Sequence, residues 1–166
     1  RTFVAVTEDA SLWYNKSEML LLGSKDSPLG LRSDRLALLQ ADERIRDDLR
    51  FAYWGGRDHW LNRPEIFLAG FLLDGEALLA VAGDAPIYTD DLPALEYSAS
   101  RLSGRRKWNP AGLRLIRDHL SPLSSASAFA VDASTLQAAE EWRTRNLEDI
   151  LATRRLAAAT SPSLAN

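Results

Sequence analysis

Three short runs open the chain, and their spacing is that of strands. "TFVAVTE", "SLWYN" and "EMLLLGS" are β-branched, aromatic or apolar, and the turn residues "DA" and "NKS" separate them. The second and third are expected to form an antiparallel hairpin across Asn15-Lys16-Ser17. The run "MLLLG" is too continuous for a strand with one wet face, so it should lie buried on both faces within a larger sheet. Two or three strands could not bury it. Unless later strands cover it, Leu20, Leu21 and Leu22 should be poorly covered within the chain alone.

From Ser33 the apolar period lengthens. Ser33 is a candidate N-cap for a short helix carrying Leu36, Leu39 and Gln40. Asp42 can cap a second helix, in which Ile45, Leu49 and Tyr53 recur at spacings of four, with Gly55-Gly56 at its end. "NRPEIFLAGFLL" offers Asn62 as a cap and Pro64 early in the next helix, where its missing N–H costs least. Asp74 then caps "GEALLAVAG", which stops at Gly83, and "ALEYS" reads as a last strand. Beyond Arg101 comes the basic loop "RLSGRRK". Asn109-Pro110 opens a helix with Leu113, Ile116 and Leu120 on one face. "SPLSSASA" is a Ser-rich connector and candidate hinge. Ser134 and Gln137 form a capping box for a long terminal helix that Asn146 could break in two.

Composition narrows the function classes. The 166 residues suit a domain or slightly more, and 46% apolar with 26% charged residues describes a globular chain. A formal charge of −3 argues against nucleic acid as the main partner, because phosphate binding calls for a basic face. With no cysteine there is no disulfide, thiolate chemistry or Cys-based zinc site. The apolar runs fall short of the roughly 20 residues that span a bilayer. The chain starts at Arg1 with a strand-like run at once, so it reads as a fragment of something longer.

Catalytic signatures are missing: no glycine-rich phosphate loop, no G-x-S-x-G elbow, no histidine pair at ligand spacing. His59 in "GGRDHWLN" reads most simply as a surface-loop residue, and His119 as a partner of a helix C-terminus. The acidic stretch "DAPIYTDDLPALEYSASR" asks for more. Thr89, Asp90 and Asp91 are good turn formers ahead of Pro93, and a purely structural turn is the simpler account. In a partly dry site, the same carboxylates would attract an ammonium group, with Tyr88 and Tyr97 placed to stack on an alkyl-ammonium chain.

These residues resemble a known family. "TFVAVTEDASLWYNKSEMLLLGS" and the stretch "FLLDGEALLAVAGDAPIYTDDLPALEYSASR", helical in its first part, resemble the C-terminal part of bacterial spermidine-synthase-like proteins. The nearest subset is the one whose synthase-like domain follows a membrane-embedded segment. That family runs Thr-Asp-Asp-Arg-Pro, a few apolar residues, Glu and an aromatic. This chain has Thr89, Asp90, Asp91, Leu92, Pro93, Glu96 and Tyr97, so Leu92 removes any salt bridge the arginine makes. The resemblance covers residues 1 to about 101 and not the tail.

The resemblance implies an α+β, mostly helical chain. Residues 1–31 would be the terminal β-hairpin of a Rossmann-like methyltransferase fold, 32–101 a helical subdomain with the acidic turn and return strand, and 102–166 a helical tail. The parent would transfer an aminopropyl group from decarboxylated S-adenosylmethionine to a polyamine, at the cytoplasmic face of the bacterial inner membrane. The fragment itself would be soluble, hold no cofactor and supply no catalytic residue. Tyr88, Asp90, Asp91 and Glu96 would line the amine pocket. Its partners would be the upstream part of the same polypeptide, a polyamine and a further copy of itself, with a membrane reached only through the parent. The rival reading is a non-enzymatic helical interaction or oligomerisation module, and a third is an autonomous polyamine sensor.

Overall fold

The computed structural model describes residues 1–14, 19–27, 34, 37–38, 41–49, 63–89, 111–125 and 131–160, without the side chains of Leu49 and 153–160. In chain order these hold α1 (Thr2–Val6), β1 (Asp9–Tyr14), β2 (Met19–Ser24), α2 (Glu43–Leu49), α3 (Pro64–Leu68), β3 (Phe71–Asp74), α4 (Gly75–Ala82), α5 (Ala111–Asp118), a 3-10 turn (Leu123–Ser125) and α6 (Ala133–Thr160). The class is α+β. The strands form one antiparallel sheet in the order β2-β1-β3.

The hairpin forms where the turn chemistry puts it. β1 and β2 pair from Asp9↔Ser24 to Tyr14↔Met19. The first apolar run, by contrast, is a helix and not a strand. Ala5 N–H donates to the Arg1 carbonyl, and the Thr7 hydroxyl donates to the Phe3 carbonyl at 2.8 Å. The reason is tertiary: Phe3 lies over Gly23 of β2, where an added Cβ would meet its ring at 2.7 Å. Packing overrides the strand propensity of "TFVAV".

A second correction concerns "IFLAGFLL". The helix after Pro64 has Arg63 rather than Asn62 at its N-cap, and it ends at Leu68. Ala69 and Gly70 turn the chain, and Phe71–Asp74 becomes β3, which pairs with β1 through Ser11↔Asp74, Leu12↔Leu73 and Trp13↔Phe71. A bulge between Leu12 and Trp13 absorbs the change of register. Asp74 then caps α4 as expected, its carboxylate accepting from Ala77 N–H at 3.0 Å, and Gly83 ends it at φ 52°, a conformation that favours glycine. Asp42 likewise caps α2, accepting from the N–H groups of Arg44 and Ile45.

The core divides into two clusters. One gathers Trp13, Phe67, Leu68, Phe71, Leu123 and Ala139, with the indole 5.3 Å from the Phe67 ring and edge-on to Phe71 at 5.4 Å. The other gathers Leu12, Leu72, Leu73, Ile116 and Leu147, with Leu113 and Leu120 packed against it, so the apolar face expected of α5 is the face it buries. Leu68, Leu72 and Leu73 are fully enclosed, each contributing about 1.5–3 kcal/mol of burial. Consecutive residues of β1, Leu12 and Trp13, fall in different clusters, as strand alternation requires.

α6 joins the two clusters. Ala139, Arg143, Leu147 and Leu151 recur at spacings of four and are all buried. Arg143, 2% exposed, reaches the outer edge of β3: its Nη1 donates to the carbonyls of Phe71 at 3.3 Å and Ser121 at 2.7 Å. Its Nη2 donates to both oxygens of Glu140 at 2.5 and 2.6 Å, and its Nε has no acceptor. Ser121 completes the seal. Its N–H donates to the Leu72 carbonyl at 2.9 Å, and its hydroxyl accepts from Asp74 N–H at 2.8 Å. The Ser-rich connector, expected to be a hinge, is therefore built into the core at its start.

α6 departs from expectation in two further ways. It runs unbroken past Asn146, and Asp132, not Ser134, caps it. The Asp132 carboxylate accepts from the Ser134 hydroxyl, from Thr135 N–H at 2.8 Å and from the Thr135 hydroxyl at 2.9 Å. Three donors on one carboxylate favour its charged form, the Ser134 hydroxyl foremost, and hold its pKa at about 2.

Two measurements check this account. Arg143→Ala strands two buried carbonyls and should cost about 3–5 kcal/mol in chemical denaturation. Glu140→Ala should cost less, because the Glu140 side chain is 48% exposed and water can replace it. Equal losses would place the stabilisation in the ion pair instead. The second concerns Asp132, whose folded pKa lies below its unfolded value. Its contribution is present above about pH 4 and disappears as pH falls towards about 2. The difference in melting temperature between the parent chain and Asp132→Ala should accordingly shrink across that window. A constant difference would show that the carboxylate charge is not what the cap uses.

Candidate functional site

The acidic stretch is anchored at two described points. Tyr88 is exposed, and its N–H donates to the Thr2 hydroxyl at 2.7 Å. Arg1 Nη1 donates to the Ala85 carbonyl at 3.0 Å, so residues 85–88 are tied to the start of α1. Asp90, Asp91 and Glu96, with Tyr97 and the "ALEYS" strand, lie outside the described residues, as do His59, the Ser33 cap and Gly55-Gly56. His119 sits one residue past α5 with its Nδ1 2.9 Å from the Leu115 carbonyl, the helix-end contact expected of it. Among the described residues, no group of three His, Asp or Glu side chains gathers as metal ligands, and no helix is long and apolar enough to cross a membrane.

What the described residues do present is an apolar surface with an open strand edge. Met19, Leu20, Leu21 and Leu22 are 44, 38, 47 and 42% exposed, so neither face of β2 is fully covered. The larger sheet that "MLLLG" called for is not supplied by the described residues: three strands leave it bare, because β1 is its sole partner among them. The expectation of poorly covered leucines holds. α1 carries this surface onward. It meets β2 through Phe3 and Gly23, packs on α4, and holds residues 85–88 through Arg1 and Thr2. Val6, Leu79, Ile87 and Tyr88 extend the exposed apolar area along this route.

The two sheet edges differ in kind. At β3 the outward backbone groups of Phe71, Leu72 and Asp74 are taken by Arg143 and Ser121. At β2 the strand from Met19 to Ser24 carries no ionisable side chain, proline or bulge, the usual devices that blunt an edge. Charge lies elsewhere. Trp142 on α6 has the Arg63 guanidinium 5.7 Å and the Arg145 guanidinium 5.3 Å from its ring centre, and Arg63 is itself paired with Glu65 at 2.6 Å. This arrangement clamps the start of α3 onto α6.

Sequence reasoning found the apolar strand and missed the seal opposite it. The signal for the seal was present: an arginine occupies the middle of the stripe Ala139, Leu147, Leu151, where a buried helix face should hold an apolar residue. No family model, no curated protein and no solved structure matches the chain.

Proposed function

We propose that this chain is a non-catalytic interaction module that takes up an extended strand on the free edge of β2. One observation carries the reading: among the described residues β2 is paired on one side only, and Met19–Leu22 remain partly exposed on both faces, while the far edge of the same sheet is closed by side chains. An added strand would satisfy outward backbone groups and cover apolar side chains together, which is how sheet augmentation combines affinity with specificity. Exposed apolar area on this scale marks interaction surfaces in soluble proteins.

The spermidine-synthase-like reading is the second, and the β1–β2 hairpin favours it. The hairpin spans residues 9–24 in the antiparallel arrangement that the closing strands of a Rossmann-like synthase domain would have. Under that reading Tyr88, Asp90, Asp91 and Glu96 line an amine pocket. The parent, at the cytoplasmic face of a bacterial inner membrane, transfers an aminopropyl group from decarboxylated S-adenosylmethionine. β3, on the far side of β1, is an addition which that reading does not require.

A labelled peptide separates the two. Fluorescein-tagged "MLLLGSKD", the chain's own strand sequence, should bind saturably by anisotropy. Leu20→Lys combined with Leu22→Lys should weaken it at least about tenfold, or 1.4 kcal/mol, without loss of helical circular dichroism. Absence of saturable binding to a parent chain that sediments as a monomer would sink the module reading. Calorimetric titration with spermidine addresses the second: binding that Asp91→Ala abolishes would favour the amine pocket, and no binding would remove its support.

A further inference from the structure

We infer that the strand received at β2 is β2 of a second copy, giving a closed dimer with one continuous six-stranded sheet. This rests on the sheet-extension reading above and names its occupant. Four features of the strand and its surroundings converge on it.

The first is pairing geometry. In an antiparallel pair, residues directly opposite each other must both turn their backbone groups toward the partner or both turn them away. Two copies of one strand related by a two-fold axis can satisfy this only when the axis passes beside a single residue. An axis at Leu21 sets Leu21 against itself, Leu20 against Leu22 and Met19 against Gly23. An axis at Leu22 would instead set Met19 against the charged Lys25 and Leu20 against Ser24. The Leu21 axis pairs apolar positions with apolar positions from Met19 to Gly23, which is the arrangement that cross-strand contacts reward, and leaves only Ser24 at the strand end facing a charged residue, Glu18.

The second is charge. Met19–Ser24 contains no ionisable side chain, so two copies meet there without opposing like charges, despite the chain's formal charge of −3. The third is area. Met19–Leu22 are each 38–47% exposed, so the edge retains apolar area for a second copy to cover. The fourth is closure. Because Arg143 and Ser121 occupy the outer edge of β3, the combined sheet runs β3-β1-β2-β2-β1-β3 and ends at two sealed strands. An isologous contact of this kind stops at two copies instead of growing into a filament.

The test uses the chain's lack of cysteine, since any thiol cross-link must come from an introduced residue. Sedimentation equilibrium in the micromolar range should give twice the chain mass. Leu21→Lys, which places like charges opposite each other on the axis, should return the mass of one chain with unchanged helical circular dichroism. A short bis-maleimide should join Leu21→Cys into dimers at least about tenfold faster than Leu115→Cys, whose site is exposed on α5 away from this edge. A chain that sediments as a monomer while still binding the labelled strand peptide overturns the second copy and leaves sheet extension standing. A monomer that binds no peptide overturns both. Equal cross-linking at the two sites, or species larger than dimers, overturns the closed pairing.

Discussion

The fold depends on how the outer edge of β3 is closed. Phe71–Asp74 is the most deeply buried segment described, and buried backbone groups must find partners. β1 serves one side. The other is served by residues far away in sequence: Ser121, which bonds both Leu72 and Asp74, and Arg143, which bonds Phe71 and Ser121. A helix cannot offer backbone donors along its side, so a side chain must do it. Arginine is long enough to reach a carbonyl from a helix axis, and its fork can serve two acceptors while a third group, Glu140, takes the remaining charge. The position of α6, the placement of α5 before Ser121 and the joining of the two apolar clusters all follow from this one requirement.

The same requirement explains why β2 differs. Among the described segments, α6 and Ser121 are committed at β3, and α1 meets β2 near its end, at Gly23. A sheet of three strands has two edges, and this one spends its long helix on one of them. What remains at β2 is a strand whose apolar side chains are only partly buried. Residues of that kind persist most simply where something else covers them.

Much of the local structure could be read from the sequence because it rests on short-range chemistry. Asp42 and Asp74 cap helices by accepting N–H groups two or three residues on, Gly83 stops α4 through its own backbone freedom, and β1 and β2 pair as the two apolar runs flanking Asn15-Lys16-Ser17. Misreadings arose where tertiary contacts decide. "IFLAGFLL" is apolar throughout, so periodicity cannot divide it into α3, a turn and β3. "TFVAV" is strand-like until Phe3 must sit on Gly23. Ser134 looks like a cap, yet Asp132 two residues earlier holds it as a donor. Of the candidate amine-binding residues only Tyr88 falls within the described structure. The β2 surface was visible in the sequence as a run with no one-sided pattern, but the sealed edge opposite was not, because it is assembled from residues 22 to 72 positions apart.

The two edges are also linked in energy. β1 lies between them, so among the described residues β2 is held to the molecule by its bonds to β1 and by the Phe3 contact, with its own apolar side chains only partly buried. Such an element belongs to the part of a protein that opens at lowest cost, whereas β1 and β3 share the enclosed core. A partner strand that binds only the closed form shifts this balance by mass action, by about 2.7 kcal/mol when present at a hundredfold excess over its dissociation constant. Docking at β2 would therefore do more than cover leucines. It would bring the least supported strand up toward the stability of the core, which the arginine at the far edge already maintains.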